Sequence, residues 1–403
     1  MAQQRGPVEH VLNQENQGKI ATKVLVPAKG GVPKRPALGE VKLNDVNKLS
    51  NANNALTNGA LKKGGVMGAP QVKKTVSNGT KVVERRQVTK ENTFANTHIE
   101  DNKISTVRRS SYSKQINIIN PDENSKNDPQ MVTEYLGDIF SYLRELECRF
   151  PIKKNFLEGH QSTPRMRTIL VNWLVEVHMN FKLYLETLHL CIAIVDRYLQ
   201  ENKGVGRNIL QLVGTTALLI ASKYEEMYLP DLDEFVYICD DTFSKRQILR
   251  MEMDILKKLD FNLGRPLSVH FLRRYNKVAQ VRSDHHALGK YLLELSLLEH
   301  NMSHIKPSIQ AAAVCCLSIA ILNEVMNLPK IWTPTLVHYT TYEYADFKNV
   351  IVDFAHLIVK SQTSKYQMIR QKYATSTYAK ISLNSKLNGP LIRKLTLTSI
   401  TKK

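Results

Sequence analysis

The sequence predicts an all-α protein, with two tandem helical units behind an N-terminal helix and a long disordered N-terminal tail. Three observations carry that expectation. Apolar residues recur at helical spacing from about residue 131 onward. Two segments, 209–226 and 309–321, are apolar almost all round, which marks one buried central helix in each unit. Residues 1–120 hold only two aromatic side chains, Phe94 and Tyr112, too little bulky apolar surface to offset the entropy of ordering a backbone.

The tail, residues 1–125, is also the basic part of the chain. Of the net charge of +19, residues 1–120 carry +12, from 20 Lys/Arg against 8 Asp/Glu. Its Gly-rich stretch Lys62-Lys63-Gly64-Gly65-Val66-Met67-Gly68 has the composition of a flexible linker. Pro121 and Pro129 punctuate the entry to the ordered part. Val132, Tyr135, Leu136, Ile139, Phe140, Leu143 and Leu146 then form the first helical stripe. Pro164 opens the next helix, whose stripe is Met166, Ile169, Leu170, Trp173, Leu174 and Val177. Residues 188–199 form a third. The buried helix of 209–226 follows, and Ser244 with Gln247 makes a capping-box pair ahead of Ile248, Leu249, Met251, Ile255, Leu256 and Leu259.

Gly264-Arg265-Pro266 interrupts the pattern and sets the boundary between a unit at 126–263, which includes the preceding helix, and a second at 264–385. The second set of helices falls at 267–278, 287–298, 308–323, 335–338 and 347–360. A flexible C-terminal segment, 386–403, is expected to close the chain.

Composition excludes several classes. The five cysteines, Cys148, Cys191, Cys239, Cys315 and Cys316, include no CxxC pair and read as reduced thiols. Neither a signal-peptide core nor an apolar run of membrane-spanning length is evident. The motifs GxxxxGK[ST], GxGxxG after a strand, HExxH and GxSxG are absent, as is the protein-kinase signature set. Cys315-Cys316 reads as two small core residues, and His178, His189 and His300 as ordinary helix residues without ligand spacing. No catalytic residue, cofactor or metal is expected.

Three stretches carry a family resemblance: Met166-Arg167-Thr168-Ile169-Leu170-Val171-Asn172-Trp173-Leu174, Leu219-Ile220-Ala221-Ser222-Lys223-Tyr224-Glu225-Glu226, and Phe235-Val236-Tyr237-Ile238-Cys239-Asp240-Asp241-Thr242 followed by Arg250-Met251-Glu252. Together they resemble the cyclin box of the mitotic cyclins. The resemblance runs from about Glu134 to Lys380. Further stretches, 134–144, His270-Phe271-Leu272-Arg273-Arg274 and Lys372-Tyr373-Ala374-Thr375-Ser376, look like B-type cyclins. The Phe235-to-Thr242 stretch also suits the A-type, with its S/G2 role.

The resemblance implies two tandem five-helix cyclin folds preceded by an N-terminal helix. It implies a regulatory subunit, not an enzyme, that binds and activates a cyclin-dependent serine/threonine kinase at the G2/M transition, in cytoplasm and nucleus. Lys223, Glu252 and Phe261 match the family's kinase contacts. Read without the family, they are an intramolecular salt bridge and a core Phe. Arg167 and Asp196 match an ion pair bracing the first two helices. Met166, Leu170, Trp173, Arg207 and Gln211 match the patch that docks Arg-x-Leu substrates and inhibitors, and the competing reading of that stripe is core. Asn172 departs from the family's usual Asp.

In the tail, Arg35, Leu38, Val41 and Asn44 resemble a destruction box read by a ubiquitin ligase, with Asn44 one position beyond the commonest spacing. Lys42, Lys48, Lys62 and Lys63 are candidate ubiquitin acceptors, and Arg108-Arg109-Ser110-Ser111 reads either as a basophilic kinase site or as a solvated basic linker. Neither a membrane nor direct nucleic-acid contact is expected. The rival readings are a cyclin-fold transcription factor that binds nucleic acid and a helical scaffold. Against the first, residues 121–403 carry only +7, without a basic recognition helix.

Overall fold

Thirteen α-helices make up the regular structure of a computed structural model that describes residues 118–398. Among the described residues there is no strand, and no helix is long and apolar enough to cross a membrane. Helix α1 is Leu136–Arg149. The first unit comprises α2 (Pro164–Phe181), α3 (Leu185–Glu201), α4 (Arg207–Glu225), α5 (Leu232–Ile238) and α6 (Lys245–Lys258). The second comprises α7 (Ser268–Val278), α8 (Ser283–Leu297), α9 (Pro307–Leu322), α10 (Pro334–Thr340) and α11 (Tyr344–Thr363). Two further helices, α12 (Met368–Lys372) and α13 (Pro390–Thr398), follow.

The local sequence explains most helix starts. The Thr163 hydroxyl accepts from Met166 N ahead of Pro164, and Thr333 does the same for Leu336 N ahead of Pro334. Ser244 and Gln247 close the predicted capping box on α6, and Asp231 with Glu234 closes one on α5.

Each unit wraps around its third helix, as the all-round apolar pattern requires. Helix α4 packs on α2, α3 and α6, and α9 packs on α7, α8 and α11. Glycine permits a close crossing in both units. A Cβ at Gly214 of α4 would lie 2.7 Å from Leu170 Cδ1, and one at Gly289 of α8 would lie 2.9 Å from Leu272 Cδ2. The duplicated plan read from the two apolar helices is therefore repeated in helix order, in the seven-residue fourth helices and in this packing device.

Three expectations change. The tail does not run to residue 125. Asp122 is buried and pairs with Arg274 (2.7 Å) and Lys277 (3.3 Å) of α7. Burial works to raise the Asp122 pKa, but the two cations outweigh it and hold the carboxyl below its usual range. The segment after 385 is not a flexible end throughout, because Leu387, Leu391 and Ile392 are buried and α13 packs on α11 and α9. The amphipathic stripe of so short a helix was too brief to read.

The preceding helix does not belong to the first unit alone. The buried carboxylate of Glu147 on α1 accepts from Ser308 N (3.1 Å) and Ser308 Oγ (2.6 Å), and so caps the N-terminus of α9. Phe140 of α1 lies 5.9 Å from Phe271 of α7, centroid to centroid. Glu147→Ala is expected to lower stability by about 1–3 kcal/mol, since it leaves the buried Ser308 N–H without its acceptor, while the Ser308 hydroxyl keeps Tyr342. Urea denaturation of the full chain measures this, and an unchanged midpoint would show that α1 is not locked to α9.

Candidate functional site

Helix α4 leaves the core at its C-terminal end, and there Lys223 emerges after the buried run 217–222. Its Nζ donates to Glu252 Oε1 of α6 at 2.6 Å. The Lys223 side chain is 46% exposed and that of Glu252 only 11%. The bridge thus braces α4 against α6 while presenting the ammonium to solvent. Of the two readings of these residues, the intramolecular bridge is realised and the core Phe is not: Phe261 is 61% exposed.

The turn that carries Phe261 explains its exposure. Asp260 and Phe261 both adopt left-handed backbone, with φ of 50° and 55°, and Phe261 N donates to Leu256 O at 2.8 Å. A bulky residue with positive φ is an outlier that surrounding structure must hold in place. Arg197 Nη1, on α3, donates to Asn262 O at 2.6 Å and fixes the turn from below.

The surroundings are apolar and exposed. Tyr224, Met227, Tyr228 and Leu229 follow Lys223, and Leu249 and Met253 sit on α6 beside Glu252. Tyr224 reaches the turn after α6, where its hydroxyl lies 3.9 Å from the position of a Cβ at Gly264. Met227 and Tyr228 are 82% and 86% exposed, and such a cluster beside a charged pair has the make-up of a protein-docking surface. Tyr135, just before α1, and Ile139 and Tyr142 on it are exposed at i, i+4 and i+7, while Leu136, Phe140 and Leu143 face inward.

These residues were not legible in the sequence as an outward face. One signal was available: the apolar residues of α1 and α6 are too many for a single buried stripe.

Arg167 and Asp196 meet as expected. Nε and Nη2 of Arg167 donate to Oδ1 and Oδ2 of Asp196 at 2.6 and 2.7 Å, with both side chains almost wholly buried. The remaining Nη1 donates to Leu297 O, the last residue of α8, at 2.8 Å. The pair therefore ties the two units together as well as bracing α2 on α3.

The peptide-docking residues divide. Leu170 is buried against Gly214 and Trp173 is 6% exposed. Met166 and Gln211 are half-buried and Arg207 is exposed, so Leu170 and Trp173 serve the core and the other three form the accessible rim. Asn172 has a definite partner: its Oδ1 accepts from Met368 N of α12 at 3.3 Å.

Cys315 and Cys316 are fully buried, as read. Burial pushes the Cys316 thiol up to about 12 and that of Cys315 higher still, so neither is a nucleophile. His189 is buried too, and burial, with the Lys372 charge, takes it down to about 3. No group of three or more potential metal ligands occurs among the described residues.

The family descriptions "Cyclin, N-terminal domain" and "Cyclin, C-terminal domain" match residues 138–264 and 266–387. G2/mitotic-specific cyclin-B of Spisula solidissima is 47% identical over 285 residues, covering 71% of this chain and 65% of that protein. G2/mitotic-specific cyclin-B2 of Oryzias latipes is 45% identical over 276 residues, covering 68% of this chain and 70% of that protein. This chain belongs to the B-type cyclins.

The match spans just under two thirds of the length of the Spisula and Patella vulgata cyclins-B, at 65% and 66%. Among solved structures, a viral cyclin from herpesvirus saimiri is 21% identical, with a TM-score of 0.46, covering 56% of this chain and 98% of that one. The two matched cyclin regions meet at residue 265, inside the Gly264-Arg265-Pro266 break. The residues resembling a destruction box, Arg35, Leu38, Val41 and Asn44, the candidate ubiquitin acceptors and Arg108–Ser111 lie outside the described residues.

Proposed function

We propose that this B-type cyclin is a regulatory subunit of a cyclin-dependent serine/threonine kinase. It binds the kinase through the Lys223–Glu252 bridge, Phe261 and the exposed apolar residues around them, and favours the kinase's active conformation over its inactive one. The observation that carries this reading is the exposed aromatic and Met cluster surrounding a half-exposed ion pair on an otherwise well-packed helical unit. The chain lends binding energy and the kinase performs the chemistry.

The stripe of Tyr135, before α1, with Ile139 and Tyr142 on it extends the same docking surface, held in place through Glu147. The rim of Met166, Arg207 and Gln211, beside the buried Trp173, receives Arg-x-Leu peptides of substrates and inhibitors. The tail times removal at the end of the G2/M programme, with Arg35, Leu38, Val41 and Asn44 read by a ubiquitin ligase.

The test mixes the full chain with an inactive monomeric mitotic cyclin-dependent kinase and follows phosphorylation of a histone-type substrate. Saturable activation is expected. None at micromolar cyclin, with any such kinase, overturns the reading.

Phe261→Ala is expected to weaken kinase binding by about tenfold or more, as loss of an exposed aromatic anchor does. It should leave thermal stability almost unchanged, because the ring is outside the core. Calorimetric titration against the kinase measures the first and a melting curve the second; equal affinities would remove Phe261 from the interface.

A further inference from the structure

The segment after α11 encloses a cavity of about 80 Å³, lined by Tyr291, Ser361, Gln362, Arg370, Asn384 and Asn388 among others. It opens to solvent past Asn388 and Leu383, both exposed. No acidic side chain lines it. Arg370 nevertheless places its guanidinium there, with Nε buried and unpartnered, and forms no salt bridge among the described residues. A buried N–H without an acceptor is a costly arrangement unless water or a ligand completes it.

The hydrogen bonds around the cavity leave a surplus of donors. Ser361 Oγ donates to Ile358 O at 2.7 Å, and Tyr291 and Ser361 bond each other at 3.2 Å, so both hydroxyl protons are committed. Ser382 Oγ donates to the backbone oxygen of Arg370 at 2.8 Å and pins that residue at the wall. Asn384 Oδ1 accepts from Lys386 N at 2.9 Å, and Asn388 Oδ1 accepts from Gln362 Nε2. The acceptors of both asparagines are therefore occupied from within the fold, while their amide N–H groups and the Arg370 fork remain.

We propose that this cavity is an oxyanion site, which takes a phosphate group either as free phosphate or as a phosphate monoester on a peptide side chain. The donors come from two separate segments, α12 and the 384–388 turn. That spread suits a tetrahedral group with several terminal oxygens better than a planar carboxylate, which one arginine fork satisfies alone. The volume equals that of roughly two or three liquid waters, at about 30 Å³ each, enough for a compact anion but not for an extended ligand. The site lies in the second unit, and the proposal does not depend on the kinase reading.

The test observes the orphaned group directly. Arginine Nε–Hε resonances of the full chain are followed while inorganic phosphate is added at constant ionic strength, with Arg370 assigned by the loss of its signal in Arg370→Lys. The Arg370 resonance is expected to move and saturate at a phosphate concentration on the order of millimolar. Asn384→Ala/Asn388→Ala should weaken that saturation by about tenfold. A second arm uses a short acetylated peptide carrying one phosphoserine. Saturation by the peptide identifies a phosphorylated chain as a source, and saturation by phosphate alone identifies the free ion. An Arg370 signal that responds to neither, or that responds equally to chloride, overturns the proposal.

Discussion

Exchanging the charges, Lys223→Glu with Glu252→Lys, is expected to keep the cyclin folded and to abolish kinase activation at concentrations where the wild type saturates. The bridge is half exposed on its lysine side and mostly buried on its glutamate side, so the fold needs both charges present, and the exchange keeps both. The exchanged pair can re-form the bridge, so circular dichroism and the melting curve should stay close to those of the wild type. What changes is the sign of the charge presented to a partner. Misplacing one charge of a desolvated interface pair costs about 2–5 kcal/mol, or roughly 30-fold to several-thousand-fold in affinity. Lys223→Ala alone is a poorer probe, because it strands the mostly buried Glu252 carboxylate and perturbs the fold as well. Activation by the exchanged variant at wild-type strength would mean that the pair only braces α4 on α6.

The fold was largely legible because its two organising features are written in composition. Helices α4 and α9 are apolar on every side, and nothing but a central position in a helical unit accommodates that. The capping box at Ser244 and the proline at Pro164 then placed two of the helix starts. What escaped were α5, α12 and α13, whose stripes are too short to stand out, and the attachment of α1 to the second unit through Glu147 and Ser308, which are 161 residues apart. A buried carboxylate on a helix reads in sequence as one more solvated charge.

The site was legible in part. Lys223, Glu252 and the Arg167–Asp196 pair were named from motif resemblance, and the structure brings each pair within hydrogen-bonding distance. Leu170 stood in both the patch and the core readings because one helical stripe supplies both the core and the rim, and only the packing over Gly214 separates them. The exposed Met227, Tyr228, Leu249 and Met253 passed unnoticed because apolar residues are counted toward the core by default.

Arg167→Ala carries the largest expected loss of stability, about 3–5 kcal/mol, since it leaves the Asp196 carboxylate buried and uncompensated. That is a large part of the total for a typical domain, so the variant should lose kinase binding by unfolding rather than through a missing contact. Arg167→Met/Asp196→Leu separates the charge from the packing. With no stranded ion the double variant should recover most of the loss, save for Leu297 O at the end of α8, which loses its donor at about 1–3 kcal/mol. The residual deficit measures the tie between the two units, because Leu297 belongs to the second and Arg167 to the first. Urea denaturation of the three chains gives both quantities, and kinase binding by the refolded double variant should return in step with its stability. A single Arg167→Ala variant that melts like the wild type yet fails to bind the kinase would reverse the argument and make Arg167 a contact residue.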